Sequence, residues 1–538
     1  MLIDLRSDTV PPLKADLAVI GAGAAGVSFS QSMIEAGYQV ILIESGGLDY
    51  ESETSKLNAG SVIGQDYYDL EQARLRFFGG TTAIWGGRCA ELDPIDFEQK
   101  DWVEHSGWPF GINELRPWYS AARALLQLPS SDNRPEFPSL SPLAASGDLA
   151  VRHWTFDRQF DRFSSLKNKK LIDHPRLTVL THATVREIVA LASGEAVDFL
   201  DVRAPDGTQV EVRAQTFILA AGGLENPRIL LASNSVRPNG LGNDHDLVGR
   251  FFMEHPHARG GRLVDASAWH FLRAFQIKRD GGAEFAPAIT AGSTLQRDRR
   301  LLNSSLTIAA RPPVNGRHSL ARMAYITAKH RLEPTKLGRR LWKGYRRFGR
   351  NLKQVAGPVG PYLDCIRGRR ELTVVIRAEQ APNPNSRVLL DRNNADAIGM
   401  PQIKLDWRLS PQDIDSVRGL VAAFGEQSQA IGVGRVEMAD WLSDPLSGWV
   451  TDSKISAHPM GGYHHMGTTR MAQNPRSGVT DQWGKVHGVA NLYVLGSSLF
   501  PTGGWANPTL TIIALALRTA DHLQANSDRT LPLAGKTG

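Results

Sequence analysis

The stretch ADLAVIGAGAAGVSFSQSMIEAGYQVILIESGG, beginning at Ala15, limits this chain to a narrow set of folds. An apolar run, Leu17 to Ile20, enters a glycine turn, a helical segment reaches about Ala36, and a second apolar run, Val40 to Ile43, stops at Glu44. That order is a βαβ unit. Gly21, Gly23 and Gly26 give the spacing G-x-G-x-x-G in this strand–turn–helix context. The first permits the tight turn, the second lets a pyrophosphate approach the backbone, and the third lets helix and strand pack closely. The helix N-terminus then faces the phosphates with its partial positive charge. Glu44 stands where an acid accepts hydrogen bonds from a ribose. An adenine dinucleotide is the expected ligand, and this motif alone does not choose between FAD and NAD.

The 538 residues exceed one hydrophobic core, and 42% hydrophobic with 22% charged residues is ordinary for a globular protein. Two cysteines, Cys89 and Cys365, give neither a disulfide framework nor a zinc-finger spacing, so a reducing compartment is expected. MLIDLRSDTV has no apolar core of a secretory signal, and LTIIALAL is too short to span a bilayer. A cytoplasmic location follows as an expectation. The net charge of +6 is uneven: Lys336 to Gln354 holds eight lysines and arginines and no acid. Leu337, Leu341, Tyr345, Phe348 and Leu352 recur there at helical spacing, which predicts a basic amphipathic helix. It suits either a surface helix docked on its own domain or a peripheral contact with an anionic membrane or acidic partner. Nucleic acid is not expected, because no recognition motif accompanies the charge.

Farther along, RLTVLTHATVREIVAL and QTFILAAGGLENPRILLAS read as strands, the second running into a helix. RFFGGTTAIWGGRCAELDPIDF sets two glycine pairs round Thr81, Thr82 and Trp85, as suits a backbone wrapped about a ligand. RELTVVIRAEQAPNPNSRVLL and PQIKLDWRLS predict successive strands of one sheet in a second domain. ANLYVLGSSLFPTGGWANPTLTIIALALRTADHL returns to strand, glycine loop and helix. The expected fold is therefore α/β: a discontinuous Rossmann-like cofactor domain and a second domain on a largely antiparallel sheet with helices. The division runs 1–264, with an excursion toward the substrate domain or a lid near 126–170, then 265–450, then 451–538.

These segments, in this order over essentially the whole chain, resemble the glucose–methanol–choline (GMC) oxidoreductases. The resemblance is nearest the pyranose 2-oxidase and bacterial sugar and polyol dehydrogenase branch, because Asn507 in GGWANPT stands where fungal glucose oxidases carry a second histidine. It implies FAD and the oxidation of an alcohol to a carbonyl. The cofactor is then expected to meet Gly21, Ala22, Gly23, Ala24, Ala25, Gly26, Glu44 and Ser45 in the βαβ unit. It also implies contacts at Gly80, Thr81 and Trp85 in the glycine-rich loop and at Val185 by the adenine. Gly496, Ser497, Asn507, Pro508 and Thr509 fall beside the flavin. Ile84 stands where pyranose 2-oxidase attaches its flavin through a histidine, so non-covalent FAD is expected. The electron acceptor does not carry over.

His464, in GGYHHMGTTRM, matches the family's catalytic histidine. Alcohol oxidation removes a hydride from carbon and a proton from oxygen, and an imidazole suits the proton. Asn507 can hydrogen-bond the same hydroxyl and orient its C–H bond. Pro508 suits the first turn of a helix whose dipole would favour an anionic reduced flavin. A metal site competes for His464, His465, His255 and His257, but no carboxylate or cysteine spacing completes it, and no metal is expected. The expected function is FAD-dependent oxidation of a CH–OH group in a sugar, glycoside or polyol. The alternatives are a non-sugar alcohol, an NAD-linked dehydrogenase, or a flavin-binding assembly protein without turnover.

Overall fold

The computed structural model describes residues 1–8, 10–132, 135–159, 161–315, 329, 332–444 and 446–526, without the side chains of 346, 347 and 350–355. Two large sheets carry it. In the first, Leu13–Ile20 lies between Val40–Ile43 and Gln209–Leu219, all parallel, and Leu177–Thr181 and Leu2–Asp4 extend the row beyond Val40–Ile43. Val197–Arg203 and Thr184–Ala190 continue it on the other side by antiparallel pairing. Such strands, buried on both faces, need continuous apolar runs, and all four residues of Val40–Ile43 are buried. Leu492–Val494 joins the same sheet parallel to Phe217–Leu219, so the C-terminal part completes what the N-terminal part begins. Helices Ala24–Glu35 and Thr509–Ala525 pack against each other beside it.

Every pairing in the second sheet is antiparallel. Its order is Arg435–Met438, His257–Val264, Glu371–Arg377, Ser305–Arg311, Ala283–Ala291, Leu149–Phe156, Arg88–Cys89, with Lys278–Asp280 on Ala283–Ala291. Three of these strands precede residue 265, so the sheet does not follow the sequence division at 264/265; Leu149–Phe156 falls in the excursion near 126–170. The helix Pro411–Ala430, opened by a Ser410–Asp413 capping box, covers one side of this sheet.

One expectation is corrected. Glu371–Arg377, Arg387–Ala395 and Pro401–Asp406 do not share a sheet. The last two form a hairpin that pairs with Gly60–Val62 in a separate three-stranded sheet. Alternation identifies strands but not their partners, and the partner here lies over 300 residues away. The basic segment is a helix, Lys336–Ala356. Among the described residues no helix is long and apolar enough to cross a membrane.

Candidate active site

A cavity of about 480 Å³ opens where the parallel strands end, lined by Ile20, Ile43 and Ala220 at their C-terminal ends. Open α/β sheets bind ligands at this edge. Of the residues singled out in the sequence, Gly21, Gly23, Ala24, Ala25, Glu44, Ser45, Gly80, Thr81, Trp85 and Val185 line it. His464, Gly496, Ser497, Asn507, Pro508 and Thr509 line it too, as does Ile84. Ala22 and Gly26 do not. Ala22 is fully buried and gives its N–H to Glu44, while Gly26 lies beneath the turn.

The βαβ end fits a dinucleotide. Gly21 has φ +104°, and a Cβ on Gly26 would sit 1.9 Å from the Gly21 carbonyl oxygen, so close packing there requires glycine. A Cβ on Gly23 would meet nothing within 4 Å, because that face is open. Each Glu44 carboxylate oxygen accepts one backbone N–H, from Ala22 at 3.0 Å and Gly46 at 2.9 Å. A lone pair on each oxygen remains for ribose hydroxyls. Burial raises the Glu44 carboxyl above its ordinary range, against the pull of those two N–H groups. Thr81 Oγ1 accepts the Leu75 N–H at 3.1 Å, and Ser497 Oγ donates to the His465 carbonyl at 2.7 Å, so both hydroxyls hold their own loops.

A second group of residues near this end went unread in the sequence. Glu225 receives Arg74 at 2.6 Å, Arg76 at 3.2 Å and Arg228 at 3.3 Å, and Arg228 also reaches Asp396 at 2.8 Å. Burial alone would raise Glu225, but the three guanidiniums overcome it and hold the carboxyl well below its usual range.

At the other end the adjacent histidines point apart. His465 Nε2 lies 2.9 Å from the Tyr67 hydroxyl, whose proton goes to Glu254 at 2.6 Å, so His465 donates into the protein. His464 instead bridges His255 and Asn507, with Nδ1 2.9 Å from His255 Nδ1 and Nε2 3.0 Å from Asn507 Nδ2. His255 Nε2 lies 2.8 Å from the Gly504 carbonyl oxygen. Glu254, fully buried, gathers the backbone N–H groups of His255, Gly462 and His464 at 2.9–3.0 Å and so fixes the loop. Tyr463, just before His464, takes a left-handed φ of 60°, a conformation that non-glycine residues adopt only when held. Burial lowers His464 to about 3, helped by Arg88 and Arg377, and lowers His255 to about 4, helped by His464. Both rings are neutral. Among the described residues no set of three or more His, Cys, Asp or Glu side chains is arranged to hold a metal.

Residues 382–516 match the GMC oxidoreductase C-terminal family, and residues 16–238 match the FAD dependent oxidoreductase family. The chain is 24% identical to 2-methyl-1,2-propanediol dehydrogenase of Mycolicibacterium austroafricanum, over 95% of each protein. The chain belongs to the GMC oxidoreductase family. The fructose dehydrogenase large subunit of Gluconobacter japonicus is likewise 24% identical, over 95% of this chain and 98% of that protein. Pyridoxine 4-oxidase from Mesorbium loti shares the fold, with a TM-score of 0.56 and 17% identity over 95% of this chain and 99% of that one. This GMC protein is thus an FAD-dependent oxidoreductase.

Proposed function

We propose that the protein oxidises a CH–OH group of a sugar, glycoside or polyol to a carbonyl, with His464 as proton acceptor and Asn507 orienting the hydroxyl. The hydrogen-bond chain from Gly504 to Asn507 carries this reading. A carbonyl only accepts, so His255 Nε2 holds a proton and donates to Gly504. The neutral His255 ring then has its lone pair on Nδ1, and His464 must donate from its own Nδ1. That leaves the His464 lone pair on Nε2, the atom facing Asn507 and the cavity. The Asn507 amide donates toward the same point, so a hydroxyl oxygen placed there receives a hydrogen bond while its proton faces Nε2. His255 is a positioning residue that sets the tautomer.

FAD, when bound, supplies the hydride acceptor at flavin N5. Ile84 has no nucleophilic atom, which favours a non-covalent cofactor. The helix Thr509–Ala525, entered through Pro508, turns its N-terminal residues toward the cavity and favours negative charge there. Anaerobic mixing of the holoenzyme with sugars, glycosides and linear polyols tests the substrate class. At least one should remove the flavin absorbance at 450 nm on the scale of ~1–10³ s⁻¹. Bleaching by simple aliphatic or aromatic alcohols alone would refute the carbohydrate assignment.

The helix Lys336–Ala356 is proposed to rest on an anionic lipid surface. Leu337, Leu341, Tyr345 and Phe348 form a stripe that is 61–71% exposed, whereas a helix docked only on its own domain buries its apolar side. Arg339 reaches Asp49, and Lys343 lies 2.5 Å from Asp161 on the side that meets the body. An exposed apolar stripe on a helix rich in cations suits lipid headgroups over acyl chains. The protein should sediment with phosphatidylglycerol vesicles and not with phosphatidylcholine ones, and Leu341→Gln with Phe348→Gln should release it. Failure to sediment with either, or equal binding to both, sinks this assignment.

A further inference from the structure

The wall of the cavity opposite the dinucleotide end belongs to the antiparallel sheet, and it is cationic. Arg88, on Arg88–Cys89, and Arg377, the last residue of Glu371–Arg377, both line the cavity with His464. Both guanidiniums lie against the Trp154 ring, 5.4 and 5.3 Å from its centroid. Arg377 reaches Thr307 Oγ1 at 3.3 Å, and among the described residues no carboxylate pairs with it. The acids that line the cavity are engaged elsewhere. Glu44 holds Ala22 and Gly46, Glu225 holds three other arginines, and Glu333 lies 3.6 Å from Lys329. Two buried arginines contrast with Arg377: Arg228 faces Glu225 and Asp396, and Arg259 faces Glu371 and Asp452.

Two like charges against one indole, half-buried beside a neutral histidine, repel each other and favour an anion between them. We propose that the alcohol oxidised at His464 carries an oxyanion, a carboxylate or a phosphate, seated by Arg88 and Arg377. This rests on the reading of His464 as the proton acceptor and adds the charge of the substrate to it. Guanidiniums match oxyanions through paired N–H groups, which fixes the ligand's orientation as well as its affinity. The electrostatics agree. Burial lowers Arg377 to about 9, and Arg88 and Arg311 push in the same direction, so a negative ligand relieves all three. The same two arginines lower His464, so an anion seated on them lets the imidazole accept a proton more readily.

The test is calorimetric titration of the oxidised holoenzyme with glucose, glucuronate and glucose 6-phosphate, which differ only at carbon 6. Lactate against propane-1,2-diol repeats it on a smaller scaffold. At least one acid should bind roughly 10–100-fold tighter than its neutral counterpart, as expected of charge-assisted hydrogen bonds, and should weaken with added salt. Glucuronate or lactate responding points to a carboxylate, and glucose 6-phosphate alone to a phosphate. Arg377→Gln should remove most of the preference, and Arg377→Lys should restore part of it. Should Arg377→Gln fail to fold, Arg88→Gln makes the same test from the other side. The proposal is overturned if no acid binds tighter than its neutral partner, or if the preference survives both glutamine variants. Anaerobic absorbance in the same samples separates the two readings. Bleaching by neutral alcohols without any acid preference removes the oxyanion seat and keeps the oxidation. Tight acid binding, with no alcohol or acid bleaching the flavin, does the reverse.

Discussion

His464→Ala should leave a yellow, folded protein whose flavin-reduction rate has fallen by about 10²–10⁴-fold, the contribution of a positioned base. The measurement is anaerobic stopped-flow absorbance with any reducing substrate. Asn507→Ala should cost less, because it removes a hydrogen bond to the hydroxyl and leaves the proton acceptor in place. His255→Ala should fall between the two: His464 keeps its place but loses the partner that holds its proton on Nδ1. His465→Ala is the control. Its Nε2 is engaged by Tyr67, so it should lose far less than His464→Ala. A collapse in His465→Ala with a preserved rate in His464→Ala would exchange the roles of the two rings. Indifference to all four changes would place the base elsewhere.

Glu225→Gln should lower the unfolding free energy by about 3–5 kcal/mol, the usual result of removing one partner from a buried ion cluster. Glu225 is the carboxylate shared by Arg74, Arg76 and Arg228, and Asp396 can answer only the last of these. The neutral amide leaves Arg74 and Arg76 buried at the cavity wall without compensation, so FAD affinity should fall too. Chemical denaturation of the holoprotein checks the first effect and fluorescence titration of FAD the second. Glu426→Gln is the matched control: its pair with Arg299 is solvent-exposed and should be worth less than ~1 kcal/mol. A loss at Glu225 no larger than at Glu426 would deny the cluster any structural role.

The cofactor end was legible because its chemistry is local. Gly21, Gly23, Gly26 and Glu44 lie within 24 residues, and Gly21 and Gly26 answer backbone requirements that no other residue meets, while Gly23 leaves an open face for a ligand. The wall formed by Arg88 and Arg377 left no such trace. They are almost 300 residues apart, and in RELTVVIRAEQ an arginine at a strand end reads as ordinary solvent-facing charge. Only the antiparallel sheet brings them to one tryptophan. His255 and His257 stood out in MEHPH only as a metal pair that no carboxylate or cysteine spacing completed, and Glu254 was not singled out. In the fold Glu254 collects backbone N–H groups, His255 turns to His464, and His257 bonds the His458 carbonyl. The basic helix was legible in its periodicity, whereas the direction its apolar stripe faces depends on Asp49 and Asp161 in distant segments.

The parallel docking of Leu492–Val494 on Phe217–Leu219 sets the order in which the protein can mature. At ~5–20 residues per second, a ribosome needs roughly 15–55 s to pass from Leu219 to Leu492. Throughout that interval the nascent first sheet has an unpaired edge at Phe217–Leu219, a template for wrong partners. Within the wait the ribosome makes most of the antiparallel sheet, from His257–Val264 to Arg435–Met438, while Arg88–Cys89 and Leu149–Phe156 precede it. His464 and Asn507 also emerge late, so a nascent chain can shape the nucleotide end well before it owns the proposed proton acceptor. Pairings this remote in sequence form slowly, and dilute refolding of the whole chain should therefore lose more protein to aggregation than synthesis in the cell does.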